Sequence, residues 1–166
     1  HHIEGYARVA LEAGKSADEA FFRIPLISPI GPNFWQGGCI DGVQLPEDFD
    51  YVVSLYPWEQ YRLGPNTRRF EIRMLDGPEV PEGVEEVAML VSALLRSGGK
   101  VLVHCQAGLN RSGLICARVL MRRGYTADEA IQTLRERRSP AVLCNQAFED
   151  WLRRQRRKMP YDRRAA

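Results

Sequence analysis

Residues 101–124 read VLVHCQAGLNRSGLICARVLMRRG, and the order of chemistry along them decides the fold. Val101, Leu102 and Val103 form a short β-branched and apolar run that predicts a buried strand. From Ser112 to Arg123 the residues are mostly apolar and Gly124 closes them, which predicts a helix. Between the two lies a glycine-containing loop that runs into a helix N-terminus, an arrangement that gathers backbone amides around an anion. Cys105 and Arg111 stand at its two ends.

A thiolate is the nucleophilic form of cysteine, and a free thiol with a pKa of about 8.5 is mostly protonated near neutrality. A helix N-terminus, a neighbouring guanidinium and inward-pointing amides each favour the anion, and the segment from Cys105 to Ser112 can supply all three. The same donors suit a phosphoryl group, whose charge lies on three equatorial oxygens and is stabilised mainly by preorganised donors. Arg111, six positions after Cys105, offers a planar bidentate clamp that a lysine could not copy. Taken singly, a cysteine or a histidine at a strand end reads as core filling. In register on strand, loop and helix, these residues read as a catalytic constellation.

His104, Cys105, Arg111 and Ser112 resemble the HCx5R(S/T) pattern of the cysteine-dependent protein tyrosine phosphatase superfamily. From about Trp35 to Leu152 the order of elements is similar to that of the small dual-specificity phosphatases. The resemblance implies Cys105 as the nucleophile that becomes a phosphocysteine and Arg111 as the phosphate clamp. Ser112 would hydrogen-bond the sulfur and help it leave in the hydrolytic step, and His104 would order the loop. Phosphate binding would fall to Gln106, Ala107, Gly108, Leu109, Asn110 and Arg111, with no metal and no cofactor.

A phenolate or alkoxide leaving group needs a proton from outside the phosphate cradle. Asp76 stands 29 residues before Cys105, and the resemblance implies a general acid about there. Phe70 to Met74 alternates as a strand would, and Asp76, Gly77 and Pro78 read as a turn leaving it. An aspartate in such a turn is also a common turn former. Glu79, Asp41, Asp48 and Asp50 are the rival carboxylates. The WPD tripeptide of tyrosine-specific relatives is absent, since Met74 and Leu75 precede Asp76.

The expected substrate is a phosphotyrosine protein, with phosphoserine and phosphothreonine as an open extension. The same chemistry on an inositol phosphate, a phosphoinositide or an RNA 5′-phosphate is the alternative. Phosphoinositide-type loops commonly carry lysines, whereas residues 106–110 here are uncharged. Asn110 before Arg111 resembles the RNA triphosphatase branch and keeps that option open. A catalytically dead phospho-binding module is the remaining reading, and it would be expected to lack one of the nucleophile, clamp or acid.

The 166 residues, 45% of them hydrophobic, suit one α/β domain with a real core. No apolar run approaches the ~20 residues that cross a bilayer and no secretory signal is visible, so a soluble protein is expected. Cys39, Cys105, Cys116 and Cys144 are widely spaced without a CxxC pair, which argues against zinc and a disulfide framework. A catalytic thiolate wants a reducing compartment, so a cytoplasmic location is expected.

Sixteen basic and twenty acidic side chains among residues 1–152 leave −4, and seven basic against one acidic in the last 14 residues leave +6. The basic run from Arg153 to Arg164 reads chiefly as cations at a helix C-terminus and a solvated chain end. Binding of nucleic acid, an anionic membrane or an acidic partner is the lesser reading. Residues 1–5 resemble the remnant of an affinity tag and protease site, which places the phosphatase domain at 6–158 and a basic tail at 159–166.

Further strands are expected at Phe34 to Ile40 and Tyr51 to Leu55, and a helix from Glu82 to Ser97 closed by two glycines. Thr126 with Glu129 forms a capping box for a helix through Arg138, and Asn145 can cap a last one carrying Phe148, Trp151 and Leu152. Asn145 and Phe148 also resemble the asparagine and following aromatic of the dual-specificity phosphatases. Trp58 is a candidate for the cleft rim or for ordinary packing. The expected architecture is a mostly parallel mixed sheet of four to five strands, covered by helices on both faces.

Overall fold

The computed structural model describes residues 24–156; residues 1–5, the two ends of the expected domain (6–23 and 157–158) and the basic tail at 159–166 lie outside that range. Five strands form one sheet: β1 (Ile27–Gly31), β2 (Phe34–Gly37), β3 (Tyr51–Ser54), β4 (Arg68–Glu71) and β5 (Val101–His104). Their order is β1-β2-β5-β3-β4, with β1 and β2 antiparallel and every other pair parallel. The central strand is therefore β5, the apolar run that opens the loop. All four of its residues are buried.

Strand β1 is not legible as a strand in the sequence, because Pro29 lacks the N–H a ladder needs. It survives at the sheet edge, where one side has no ladder to complete. Pro32 and Asn33 turn the chain into β2, with Asn33 at φ 57°. At the other edge, β4 lies at Arg68–Glu71 instead of Phe70–Met74. The apolar alternation runs on because Ile72 and Met74 still donate to Ser54 and Leu55 at 2.8 and 3.1 Å, beyond the end of the ladder.

The helices are α1 (Val84–Arg96), α2 (Arg111–Arg122), α3 (Ala127–Arg137) and α4 (Gln146–Arg154). Helix α2 is buried at every residue from Arg111 to Met121, as its near-continuous apolar character requires. Helix α3 opens on the expected capping box, in which Thr126 Oγ1 accepts from Glu129 N–H at 3.1 Å and Glu129 Oε1 accepts from Thr126 N–H at 2.8 Å. Glu85 joins α1 to α2 through Arg118 and Arg122, at 2.7 and 2.9 Å. Burial alone would raise its pKa, yet the two guanidinium groups hold it below the usual carboxylate value.

The four described helices pack on one face. Their buried residues share one core with Phe34, Val53, Val101 and Val103, on a single side of the sheet. Val52 and Leu102 point the opposite way, and the residues described there (Leu26, Cys39, Leu45, Phe49 and Tyr61) come from connecting segments. Alternation along the strands explains the split. No described helix is long and apolar enough to cross a membrane.

Candidate active site

Strand β5 ends at His104, level with Gly37 of β2 and Ser54 of β3. Both neighbours hold the chain there: Cys105 N–H donates to the Gly37 carbonyl at 3.2 Å and Leu55 N–H to the His104 carbonyl at 2.9 Å. Cys105 thus stands at the carboxyl end of the central strand, where open α/β sheets form their crevice.

From Cys105 to Leu109, each carbonyl is taken by a donor from the body of the protein. Cys105 C=O accepts from His104 Nδ1 at 3.0 Å and Gln106 C=O from Cys39 N–H at 2.9 Å. Ala107 C=O accepts from Arg138 Nη2 at 3.3 Å. Gly108 C=O accepts from Arg138 Nε at 2.7 Å and Gln36 Nε2 at 3.2 Å, and Leu109 C=O from Leu143 N–H at 3.2 Å. A trans peptide sets its N–H opposite its carbonyl, so the amides of residues 106–110 turn toward the concave side of the loop. The turn needs Gly108: φ is 77°, and a Cβ would lie 2.4 Å from the Gly37 carbonyl carbon.

At the floor, Cys105 Sγ lies 3.3 Å from Ser112 Oγ and 3.5 Å from Ser112 N, which donates to it. Arg111 is buried at the start of α2, with its guanidinium 5.0 Å from the centre of the Tyr56 ring. His104 is fully buried and burial pushes its pKa down to about 4, so the ring is neutral. A carbonyl can only accept, so Nδ1 carries the proton, and the Tyr61 ring packs edge-on at 5.2 Å.

Asp76 is brought to the same place. Its Oδ2 accepts from Asn110 Nδ2 at 3.0 Å and its Oδ1 from Asn145 Nδ2 at 2.8 Å. Asn145 also donates to Gly77 C=O at 2.8 Å, and its Oδ1 caps α4 by accepting from Ala147 and Phe148 N–H. The rivals are engaged elsewhere or exposed. Asp48 pairs with Lys100 and Asp50 accepts from Lys100 N–H at 2.8 Å, at the opposite end of β5. Asp41 accepts from Gln60 N–H at 2.9 Å, and Glu79 is exposed.

Sequence reading missed Gln36, Arg138 and Tyr56, and assigned Asn110 to phosphate binding while missing its side-chain bond to Asp76. Arg138 follows α3 and is buried, with Nη1 donating to Pro25 C=O and Ser28 Oγ at 2.9 Å in addition to its two loop carbonyls. One signal was available: Gln36 is the polar residue in an otherwise apolar strand stretch. Trp58 is 54% exposed, with the Tyr56 ring tilted against it at 5.0 Å and the Arg73 guanidinium over its ring at 4.9 Å. Cys39 and Cys116 are buried, Cys144 is exposed, and burial pushes the Cys116 thiol pKa up. No grouping among the described residues could hold a metal ion.

A family model described as "Dual specificity phosphatase, catalytic domain" matches residues 44–158, which include the loop, Asp76, Arg138 and Asn145. The chain belongs to the dual specificity phosphatase family. Dual specificity protein phosphatases 1-A of Xenopus laevis and 2 of Homo sapiens are 39% and 41% identical to it over 62 and 61 residues. Those segments cover 37% and 36% of this chain but 17% and 19% of the relatives, so the match spans less than a fifth of their length. The putative tyrosine phosphatase 123R of Invertebrate iridescent virus 6 is 27% identical over 118 residues, 70% of this chain and 82% of that one.

Among solved structures, human DUSP28 superposes with a TM-score of 0.65 at 23% identity, covering 77% of this chain and 90% of that one. The human tyrosine phosphatase-like serine/threonine/tyrosine-interacting protein does so at 0.66 and 20%, covering 76% and 92%. At these identities the likeness carries the dual specificity phosphatase fold. The roles of individual residues rest on the site's own geometry.

Proposed function

We propose that the protein hydrolyses phosphate monoesters of protein side chains through a phosphocysteine, with phosphotyrosine as substrate and phosphoserine or phosphothreonine as further ones. The supporting observation is the outward anchoring of the carbonyls of residues 105–109, which aims the loop amides, with Arg111, at the space above Cys105 Sγ. The uncharged residues 106–110 favour a single phosphate over a polyphosphorylated ring. Asn110, whose side chain is taken up by Asp76 and by Asn145 N–H at 2.9 Å, lends no support to an RNA substrate.

In this reading the Cys105 thiolate attacks phosphorus, the P–O bond breaks, and the leaving oxygen takes a proton from Asp76. Water then attacks the phosphocysteine and gives its proton to the Asp76 carboxylate. The P–S bond breaks, its electron pair returns to sulfur, and inorganic phosphate leaves. Each carboxylate oxygen of Asp76 has two lone-pair sites, so the amide bonds leave room for that proton. Arg111 and the amides hold the equatorial oxygens throughout. A thiolate nucleophile also suits the reducing cytoplasm.

The test is hydrolysis of para-nitrophenyl phosphate with EDTA present. Turnover that vanadate blocks and Cys105→Ser abolishes is expected; undiminished turnover by that variant would overturn the phosphocysteine route. Rates on phosphotyrosine, phosphothreonine, inositol phosphate and 5′-triphosphorylated RNA then rank the substrates.

A further inference from the structure

Gln36 is a fully buried amide on β2, on the same face as Phe34 and beneath α2. Its Nε2 donates to two acceptors, Gly108 C=O at 3.2 Å and Ser112 Oγ at 3.2 Å. The amide can face only one way, because turning it over would set Oε1 against the Gly108 carbonyl oxygen. In that orientation Oε1 is buried without a hydrogen-bond partner. A buried polar atom left unsatisfied in this way calls for a reason, since an apolar side chain of the same length would avoid the cost.

Ser112 supplies the reason. A serine hydroxyl has one hydrogen and two lone pairs, and its hydrogen rotates to suit its surroundings. With one lone pair of Oγ held by Gln36, the hydroxyl hydrogen turns away from the amide. Cys105 Sγ, 3.3 Å away, is the neighbour that can receive it once ionised. We infer that Gln36 is a positioning residue that fixes the Ser112 hydroxyl rotor so that it donates to the Cys105 thiolate. This rests on the phosphocysteine reading above and extends it to a residue outside the loop.

The consequence is confined to one step. When water attacks phosphorus and the P–S bond breaks, negative charge returns to sulfur, and a pre-aimed O–H stabilises it without reorganising. In phosphocysteine formation the same bond stabilises the attacking thiolate before the reaction and gains nothing in the transition state. Loss of Gln36 should therefore slow release of phosphate more than release of the alcohol.

The experiment is rapid-mixing hydrolysis of para-nitrophenyl phosphate by wild type, Gln36→Leu, Gln36→Met, Ser112→Ala and the Gln36→Leu/Ser112→Ala double variant. Each is first checked for folding by thermal unfolding. Gln36→Leu should retain a near-normal nitrophenol burst and hydrolyse the phosphoenzyme about tenfold or more slowly. In the Ser112→Ala background it should cost little more. A loss of equal size with and without Ser112, or an equal fall in both steps, would overturn the inference, because a purely structural prop of Gly108 predicts that pattern. If the leucine variant does not fold, Gln36→Met carries the same comparison with a longer, flexible side chain. Failure of the phosphocysteine reading would show separately, as Cys105→Ser activity or as no phosphoenzyme in wild type.

Discussion

Asp76 and Asn110, 34 residues apart in sequence, are joined by a 3.0 Å hydrogen bond between the carboxylate and the side-chain amide. Asn145 holds the other carboxylate oxygen at 2.8 Å and caps α4 with its own oxygen. The proposed acid is thus tied to the phosphate loop and to the last helix at once. Its position depends on three segments, and disturbing any of them should be read out at the leaving group.

Asn145→Ala removes both a helix cap and a support of Asp76. It should lower stability by about 1 kcal/mol, the usual worth of an asparagine cap. Turnover of an alkyl phosphate should fall more than that of para-nitrophenyl phosphate, whose leaving group needs less help. Thermal unfolding and rates across a leaving-group series check this; an equal loss on every substrate would remove Asn145 from acid positioning.

Asp76→Asn keeps the shape and the contacts available to an amide but has no proton to give. Poor leaving groups should slow by about 10²–10⁴-fold and good ones far less. The slope of log kcat against leaving-group pKa is the measurement, and an unchanged slope would place the acid elsewhere.

Arg138→Ala removes a guanidinium donor from the carbonyls of Ala107 and Gly108 and from a cluster around Pro25 and Ser28. A loss of about 3 kcal/mol or more is expected, together with weakened vanadate binding, because the loop amides lose their anchor. Lysine cannot reproduce the guanidinium fork, so Arg138→Lys should recover little. Denaturant midpoints and vanadate titration test both effects.

His104 makes stability acid-sensitive. Its pKa of about 4 in the fold lies below the unfolded value of 6.5, so the neutral ring is favoured on folding. The stabilisation is fully present above pH 6.5 and is lost progressively as the pH falls toward 4, over a span of about 3 kcal/mol. His104→Asn should flatten the stability profile in that window, measured by denaturant unfolding at a series of pH values. A slope equal to wild type would assign the acid sensitivity to other groups.

The readable parts of the site were those written locally. The strand before Cys105, the helix after it and the caps at Thr126 and Asn145 follow from patterns a few residues long. Strand β1 was hidden by Pro29, because the sequence carries no mark of a sheet edge. The reach of β4 was misplaced because apolar alternation continues past the end of pairing.

By itself, the sequence placed the proposed nucleophile, the proposed clamp and a helix N-terminus in register, because these lie within eight consecutive residues whose conformation is largely local. Tertiary structure alone decided what holds them. Gln36 reaches Ser112 across 76 positions, Arg138 reaches Gly108 across 30, and Asn145 reaches Asp76 across 69. Backbone carbonyls must find partners when buried, whatever the distance along the chain, and which side chain answers depends on how sheet and helices pack.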